Sequence, residues 1–412
     1  MAKRGAAWRE AAVPFVVSRI VIVILTYLAG SIIGNARTHQ TVSCFHSVKS
    51  CLLMWNQYDA NLYVYTAHMG YTSVAGTAFF PLWPILIHVV GLPFTYSLTR
   101  YVFISLVLSN LLFYLALVVF YCLIYDLLRD ERIARNALFY LSFAPYAIFF
   151  FVGYTESLFL LLCLLTFFCL QRALQKKRLI YWLLAGGTGF LATLTRSQGI
   201  FLMLPYVLVF VLNYLWPWSH PLRLAEWRTL FHYELWRQRF VLTTWREKIL
   251  SLLPLFFIPM SLGLYMLYLW QTKGNPTAFS VGELHWYRHF TLPWTTIAMA
   301  VPPLFVVNAP QENNILNMTY FLLPLLILIL GWRRLPLYYS LFALLLLVFP
   351  LCYPAYKGDV LTSLPRYMLI VFPIYIILAT IKAPRFEKAW LALTPAFFAF
   401  NCVLLVLHYW VA

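Results

Sequence analysis

An all-α, polytopic membrane protein is the fold class that the sequence predicts, on three observations. Hydrophobic residues fill 63% of the 412 positions and charged ones only 10%, where a soluble domain carries about 25% charged residues. Mean hydropathy is +0.78. The apolar residues come in repeated runs of membrane-spanning length. The net charge of +17 does not indicate nucleic acid, because Lys and Arg fall mostly in short gaps between these runs. In that pattern they report membrane topology, not the basic face of a soluble domain.

Lys3, Arg4 and Arg9 precede the first apolar run, Ala11 to Ile33. They predict a cytoplasmic N-terminus. The run is too long for a cleaved signal and reads as a transmembrane helix that stays in place. Arg19 lies inside it, where pairing with an acid is expected. The next loop, Gly34 to about Ala78, is then exocytoplasmic. It contains Trp55-Asn56-Gln57-Tyr58-Asp59-Ala60-Asn61-Leu62-Tyr63, a polar and aromatic stretch with one acid. Cys44 and Cys51 share this loop and can bridge if it faces an oxidising compartment.

Phe79 to Pro93 is apolar but short, with Pro81, Pro84 and Pro93. It is expected to re-enter or lie in the interface. Tyr101 to Leu128 then runs inward and puts Arg129, Arg132 and Arg135 in the cytoplasm. The further crossings are Asn136–Val152, Ser157–Leu170, Ile180–Leu194, Ile200–Leu215, Ile249–Trp270, Leu316–Leu330, Leu337–Phe349, Tyr367–Ala379 and Ala389 to the C-terminus. Pro293 to Pro310 is a second short, proline-marked element that does not cross. This gives a single transmembrane domain over residues 1–412, with about eleven crossings plus short re-entrant or interfacial helices. Trp216 to Lys248 is a basic, aromatic cytoplasmic segment suited to an anionic leaflet.

Five of the thirteen acids fall outside or at outer helix ends: Asp59, Glu156, Glu283, Glu312 and Asp359. Ionisable groups near membrane depth are costly and tend to be paired or functional. For Asp59 and Glu156, helix capping or a first-turn charge is the bland alternative. Arg196 and Arg366 lie at outer helix ends. Each suits a bidentate phosphate contact, or else snorkels or is a fixed partner for Glu156 or Asp359. The run Gly186-Gly187-Thr188-Gly189 lies in an apolar helix and lacks the Lys-Ser/Thr of a phosphate loop; it reads as close helix packing. His285 and His289 are i and i+4 with no third ligand, so no metal site is expected.

Several outer segments together resemble the PIG-V family of mannosyltransferases, the GPI mannosyltransferase 2 group and its bacterial relatives. The pieces are Tyr58-Asp59-Ala60-Asn61-Leu62-Tyr63 through Ala67-His68-Met69-Gly70-Tyr71, Phe79-Phe80-Pro81-Leu82-Trp83-Pro84, Ser109-Asn110, and Pro145 through Tyr154-Thr155-Glu156-Ser157-Leu158-Phe159. They continue with Leu194-Thr195-Arg196-Ser197-Gln198-Gly199, Trp286 with Arg288, Pro293-Trp294 and Pro365-Arg366-Tyr367. The family usually has Trp directly before the acid. This chain has Tyr58, with Trp55 three residues earlier, which leaves the acceptor more open than the reaction class.

The resemblance implies a GT-C-like helical bundle in the bacterial plasma membrane, or in the endoplasmic reticulum of a eukaryote. It implies inverting transfer of mannose from polyprenyl or dolichyl phosphate mannose to a lipid or glycan acceptor on the exocytoplasmic face. No metal, and no cofactor beyond that donor, is expected. One carboxylate suffices for such a reaction, because the leaving group is already a phosphate. Asp59 is the expected base. Tyr58, Glu156, Arg196, Trp286, Arg288, Arg366 and Tyr367 are the expected substrate contacts. The competing class is a polytopic transporter or lipid flippase, which accounts equally well for the spans and broken elements.

Overall fold

The structure, a computed structural model, describes residues 2–33, 41, 44, 47–214, 244–305, 309–409 and 411. Arg37, the Glu312 side chain and residues 216–243 of the basic segment lie outside the described residues. Among the described residues all regular structure is helical, apart from an isolated antiparallel bridge between Arg288 and Ala355. Seven helices among the described residues are long and apolar enough to cross a membrane: Gly5–Ile32, Leu98–Leu128, Glu156–Lys176, Ser197–Tyr214, Trp245–Lys273, Ile315–Arg334 and Pro384–Val406. The chain is an all-α, multi-pass membrane bundle.

The other four expected crossings fall on shorter helices. Two are single apolar helices, Leu179–Thr195 and Leu337–Cys352. The other two are broken, and proline explains both breaks. Glu131–Ser142 stops just before Pro145 and resumes as the tight turn Ala147–Phe150. Leu364–Leu369 stops and Phe372–Ala379 begins afresh, with Pro373 near its start. Proline supplies no backbone N–H and disfavours helix in the residue before it. The two elements expected not to cross are short helices, Leu82–Gly91 and Pro293–Ala300. The stretch expected as a loop after the first span is partly helical, with Val48–Leu53 and Asp59–Met69. Cys44 and Cys51 are joined there by a disulfide.

Burial follows composition. Phe372–Ala379 is apolar on every side and buried along its whole length, as is Leu158–Leu164 within the Glu156–Lys176 helix. A helix without a polar face belongs inside a bundle. Glu156–Lys176 is tied to Leu179–Thr195 by a hydroxyl contact of 2.8 Å between Thr166 and Thr188. Leu179–Thr195 then presses two of its glycines against the Trp245–Lys273 helix. A Cβ on Gly186 would stand 2.2 Å from the Pro254 carbonyl oxygen, and one on Gly189 would stand 2.7 Å from Ile258. Small residues allow this approach where hydrophobic contrast with lipid supplies little force.

Charged side chains gather into separate groups. Asp126 pairs with Arg172, and Arg132 donates to both carboxylate oxygens of Glu387 at 2.7 and 2.9 Å. Glu156 belongs to the other group. It starts the helix that carries Arg172, so the two are separated by about 24 Å at 1.5 Å per residue. Arg19 departs from expectation, since it meets no acid. Its guanidinium donates to Ser18 Oγ and the Phe150 carbonyl and lies 4.5 Å from the centre of the Phe113 ring. A carbonyl dipole and an aromatic face can serve a buried cation in place of a carboxylate.

Gly186→Ala is expected to lower unfolding stability in detergent by about 1–3 kcal/mol, because backbone must move to admit the methyl. Gly187→Ala, where nothing lies within 4 Å, serves as the matched control and leaves stability unchanged. Thermal melts of the two variants make the comparison.

Candidate active site

The stretch before Asp59 is fastened to the bundle residue by residue. Trp55 Nε1 donates to Thr26 Oγ1 at 3.1 Å, and its ring meets Phe151 edge-on at 5.1 Å. Tyr154 Oη donates to the Gln57 carbonyl at 3.3 Å. Tyr58 Oη donates to the His408 carbonyl at 2.8 Å. Tyr58 holds φ +50° and ψ −123°, a conformation that non-glycine residues keep only where their surroundings impose it. It is the residue that precedes the helix, and its side chain makes no cap. Asp59 is the first helical residue, so its charge faces the positive end of the helix without capping it.

Glu156 likewise opens its own helix and makes no cap. Both carboxylates are instead bridged by arginine. Arg366 Nη1 lies 2.5 Å from Asp59 Oδ2, and its Nε lies 3.3 Å from Glu156 Oε1. Arg196 Nη1 lies 2.8 Å from the same Glu156 oxygen, and its Nε donates to Gln198 Oε1 at 3.1 Å. The result is an alternating chain, Asp59–Arg366–Glu156–Arg196. The Glu156 side chain is only 1% exposed and the two arginines 10% each. The Tyr367 ring lies beside both guanidinium groups, at 5.0 and 5.5 Å. Burying such charges is costly unless they are paired and hydrogen-bonded; the alternation of sign meets the first condition, while Glu156 Oε2 and Arg366 Nε have no hydrogen-bond partner among the described residues.

The network forms part of the wall of a cavity of about 760 Å³. Tyr58, Asp59, Arg196, Trp286, Arg288, Arg366 and Tyr367 all line it. Glu156 stands behind the arginines. The residues picked out along the chain are therefore gathered into one place. Arg288 is partly committed, donating to the Thr362 carbonyl at 2.8 Å. Trp286 meets Phe79 edge-on at 5.9 Å. Apolar rings, including Phe80, Phe201 and Phe349, line other parts of the wall. Four bases, Arg196, Arg288, Lys357 and Arg366, stand against Asp59, Glu283 and, one layer back, Glu156. A net positive, partly buried concavity favours an anion. His285 and His289 join no cluster of metal ligands among the described residues.

Glu283, Lys357, Gln57 and His408 also line the cavity and were not singled out as substrate contacts. The sequence does place Glu283 and Lys357 in outer loops, which is the signal that was available. Burial raises the Glu283 carboxyl above the ordinary glutamate range, and Arg288 pulls it back in part. Burial also pushes the Tyr154 phenol up, so it stays protonated and able to donate.

Residues 10–213, about half of the chain, match the family model described as Mannosyltransferase (PIG-V). That part of the chain is similar in sequence to a family of membrane glycosyltransferases. A search of curated proteins gives no match. Among solved structures, the oligosaccharyltransferase of Archaeoglobus fulgidus in its apo form aligns over 96% of this chain and 56% of its own, with 12% identity and a TM-score of 0.43. The oligosaccharyltransferase AglB from the same organism, in complex with an inhibitory peptide and a dolichol-phosphate, aligns over the same shares at 12% identity and a TM-score of 0.44. This chain thus spans little more than half the length of those structures.

Two outcomes follow from the geometry. Arg366→Met leaves Asp59 and Glu156 without their shared cation and is expected to cost about 3 kcal/mol or more of unfolding free energy. Glu156 keeps Arg196 in that variant, so adding Asp59→Asn, which removes the stranded acid, recovers part of the loss, read by denaturant unfolding in micelles as a double-mutant cycle. The raised Glu283 carboxyl means that the folded chain holds its proton more tightly than the unfolded chain. Stability therefore falls as pH rises from the unfolded glutamate value, about 4.3, towards the raised folded value. Glu283→Gln flattens that fall in a series of melts across pH.

Proposed function

We propose that this chain is an inverting glycosyltransferase that moves mannose from a polyprenyl or dolichyl phosphate donor to a lipid or glycan acceptor. The reaction occurs at the exocytoplasmic face of the membrane, bacterial plasma membrane by preference. The observation that carries this reading is the cavity that joins one ion-paired carboxylate, Asp59, to two buried arginines, Arg196 and Arg366. The match of residues 10–213 to the mannosyltransferase family model supports the same reading.

Asp59 is the base. It meets Arg366 through Oδ2, and its other oxygen is available to an acceptor hydroxyl. As that hydroxyl attacks the anomeric carbon from the face opposite the phosphate, its proton passes to Asp59. A new C–O bond forms, the bond to the phosphate oxygen breaks, and its electron pair leaves with the lipid phosphate. Protonation by a second acid is unnecessary, because the phosphate is already a stable leaving group.

Arg366 and Arg196 receive the phosphate. Each guanidinium has more N–H donors than its bonds to carboxylate and amide use, and its charge opposes the charge that develops on the leaving oxygen. Glu156 keeps both arginines in place. Tyr58, Trp286 and Tyr367 offer ring faces to the sugar, Arg288 a further donor, and the apolar rings a path for the lipid. No metal enters this mechanism, which requires the donor lipid and the acceptor alone.

Asp59→Asn in purified protein supplied with a polyprenyl-phosphate mannose is expected to cut transfer by about a thousandfold while leaving donor binding nearly unchanged, as loss of an essential proton acceptor does. Arg366→Lys is expected to weaken both donor binding and turnover. Near-normal transfer by Asp59→Asn removes the base assignment.

A further inference from the structure

Two side chains of the stretch before Asp59 end on the same residue. Gln57 Nε2 lies 2.8 Å from His408 Nε2, and Tyr58 Oη donates to the His408 carbonyl at 2.8 Å. The direction of the first contact is fixed by a second one. Gln57 Nε2 also lies 3.0 Å from the Met54 carbonyl oxygen, which can only accept, so the atom facing His408 belongs to the amide NH2 group. A group that only donates requires His408 Nε2 to accept. The imidazole is then neutral, with its proton on Nδ1.

The backbone at His408 makes this contact more telling. The Pro384–Val406 helix ends with Tyr409 N donating to the Leu404 carbonyl at 3.0 Å and His408 N donating to the Leu405 carbonyl at 3.1 Å. That pairing is a Schellman ending, and it places His408 at the left-handed position with φ +66°, where glycine is usual. A bulky ring occupies a position that favours no side chain, and that ring reaches the residues immediately before Asp59. Tyr58 is itself held at positive φ, so the approach of Asp59 to the cavity depends on contacts that keep Gln57 and Tyr58 where they are.

We propose that neutral His408 is a positioning residue that sets Asp59 for proton transfer through Gln57 and Tyr58. The inference rests on Asp59 being the base. His408 acts through its ring on Gln57 and through its carbonyl on Tyr58. The second bond survives any side-chain replacement, so the ring can be tested alone.

His408→Gly removes the ring and suits the left-handed backbone. It is expected to keep or raise thermal stability, which rules out unfolding as the cause of any loss. Its kcat for mannose transfer falls about tenfold, the size of one buried hydrogen bond, with donor KM changed less than about twofold. His408→Gln, which offers an amide oxygen at similar reach, restores most of kcat. Wild-type kcat in His408→Gly, or a rise in donor KM with kcat intact, overturns the proposal. A second readout does not depend on activity. In isotope-labelled histidine spectra, the signal missing from His408→Gln is expected to report an unprotonated Nε2, and a protonated Nε2 overturns the contact. If the wild type transfers no mannose while that signal is present, the reading of the reaction fails and the Gln57–His408 contact stands.

Discussion

The alternation of charge along Asp59, Arg366, Glu156 and Arg196 is the constraint on which the rest of the structure turns. None of these groups tolerates burial alone. Together they require four separate parts of the chain to meet: two helix starts, one helix end, and the short helix Leu364–Leu369. The helix starts favour the carboxylates, and the Tyr367 ring supports both cations. The strained backbone at Tyr58 becomes intelligible as what this convergence demands. A network of this kind is weak evidence for stability, since apolar packing often serves as well. It is stronger evidence for a site, because it holds charged groups at a cavity wall in a protein that otherwise uses charge sparingly.

The proposed reaction uses that alternation. A lipid phosphate entering the cavity is met by the arginine N–H groups that Asp59, Glu156 and Gln198 leave unused. Glu156, more deeply buried than Asp59, is the member placed to keep Arg366 and Arg196 from following the leaving phosphate.

The sequence revealed the membrane bundle and the members of the network, for the same physical reason. Apolar runs of spanning length are unmistakable, and ionisable residues at their outer ends stand out because they are rare. The pairing was only half legible: the sequence offered Glu156 and Asp359 as fixed partners for the arginines, but not Asp59, which is 307 residues from Arg366. For Asp59 and Glu156 the structure removes the side-chain cap but keeps the first-turn charge, since both open their helices. Arg19 was misread because a carbonyl and two aromatic rings leave no charge signature in sequence. The helices within the first loop were missed because Asp59–Met69 buries Tyr63, Val64 and Ala67 through tertiary contacts, which alternation along the chain does not announce. His408 gave no signal at all. It sits at the end of the last apolar run, and only the fold carries it to Gln57.

The most direct test is an electron cryo-microscopy map of the chain in lipid nanodiscs with a polyprenyl-phosphate mannose donor and the Asp59→Asn substitution to hold it. The account predicts the phosphate within hydrogen-bonding distance of Arg366 and Arg196, with the anomeric carbon facing residue 59. A phosphate seated at the Asp126–Arg172 end of the bundle, or a sugar turned away from residue 59, would contradict it.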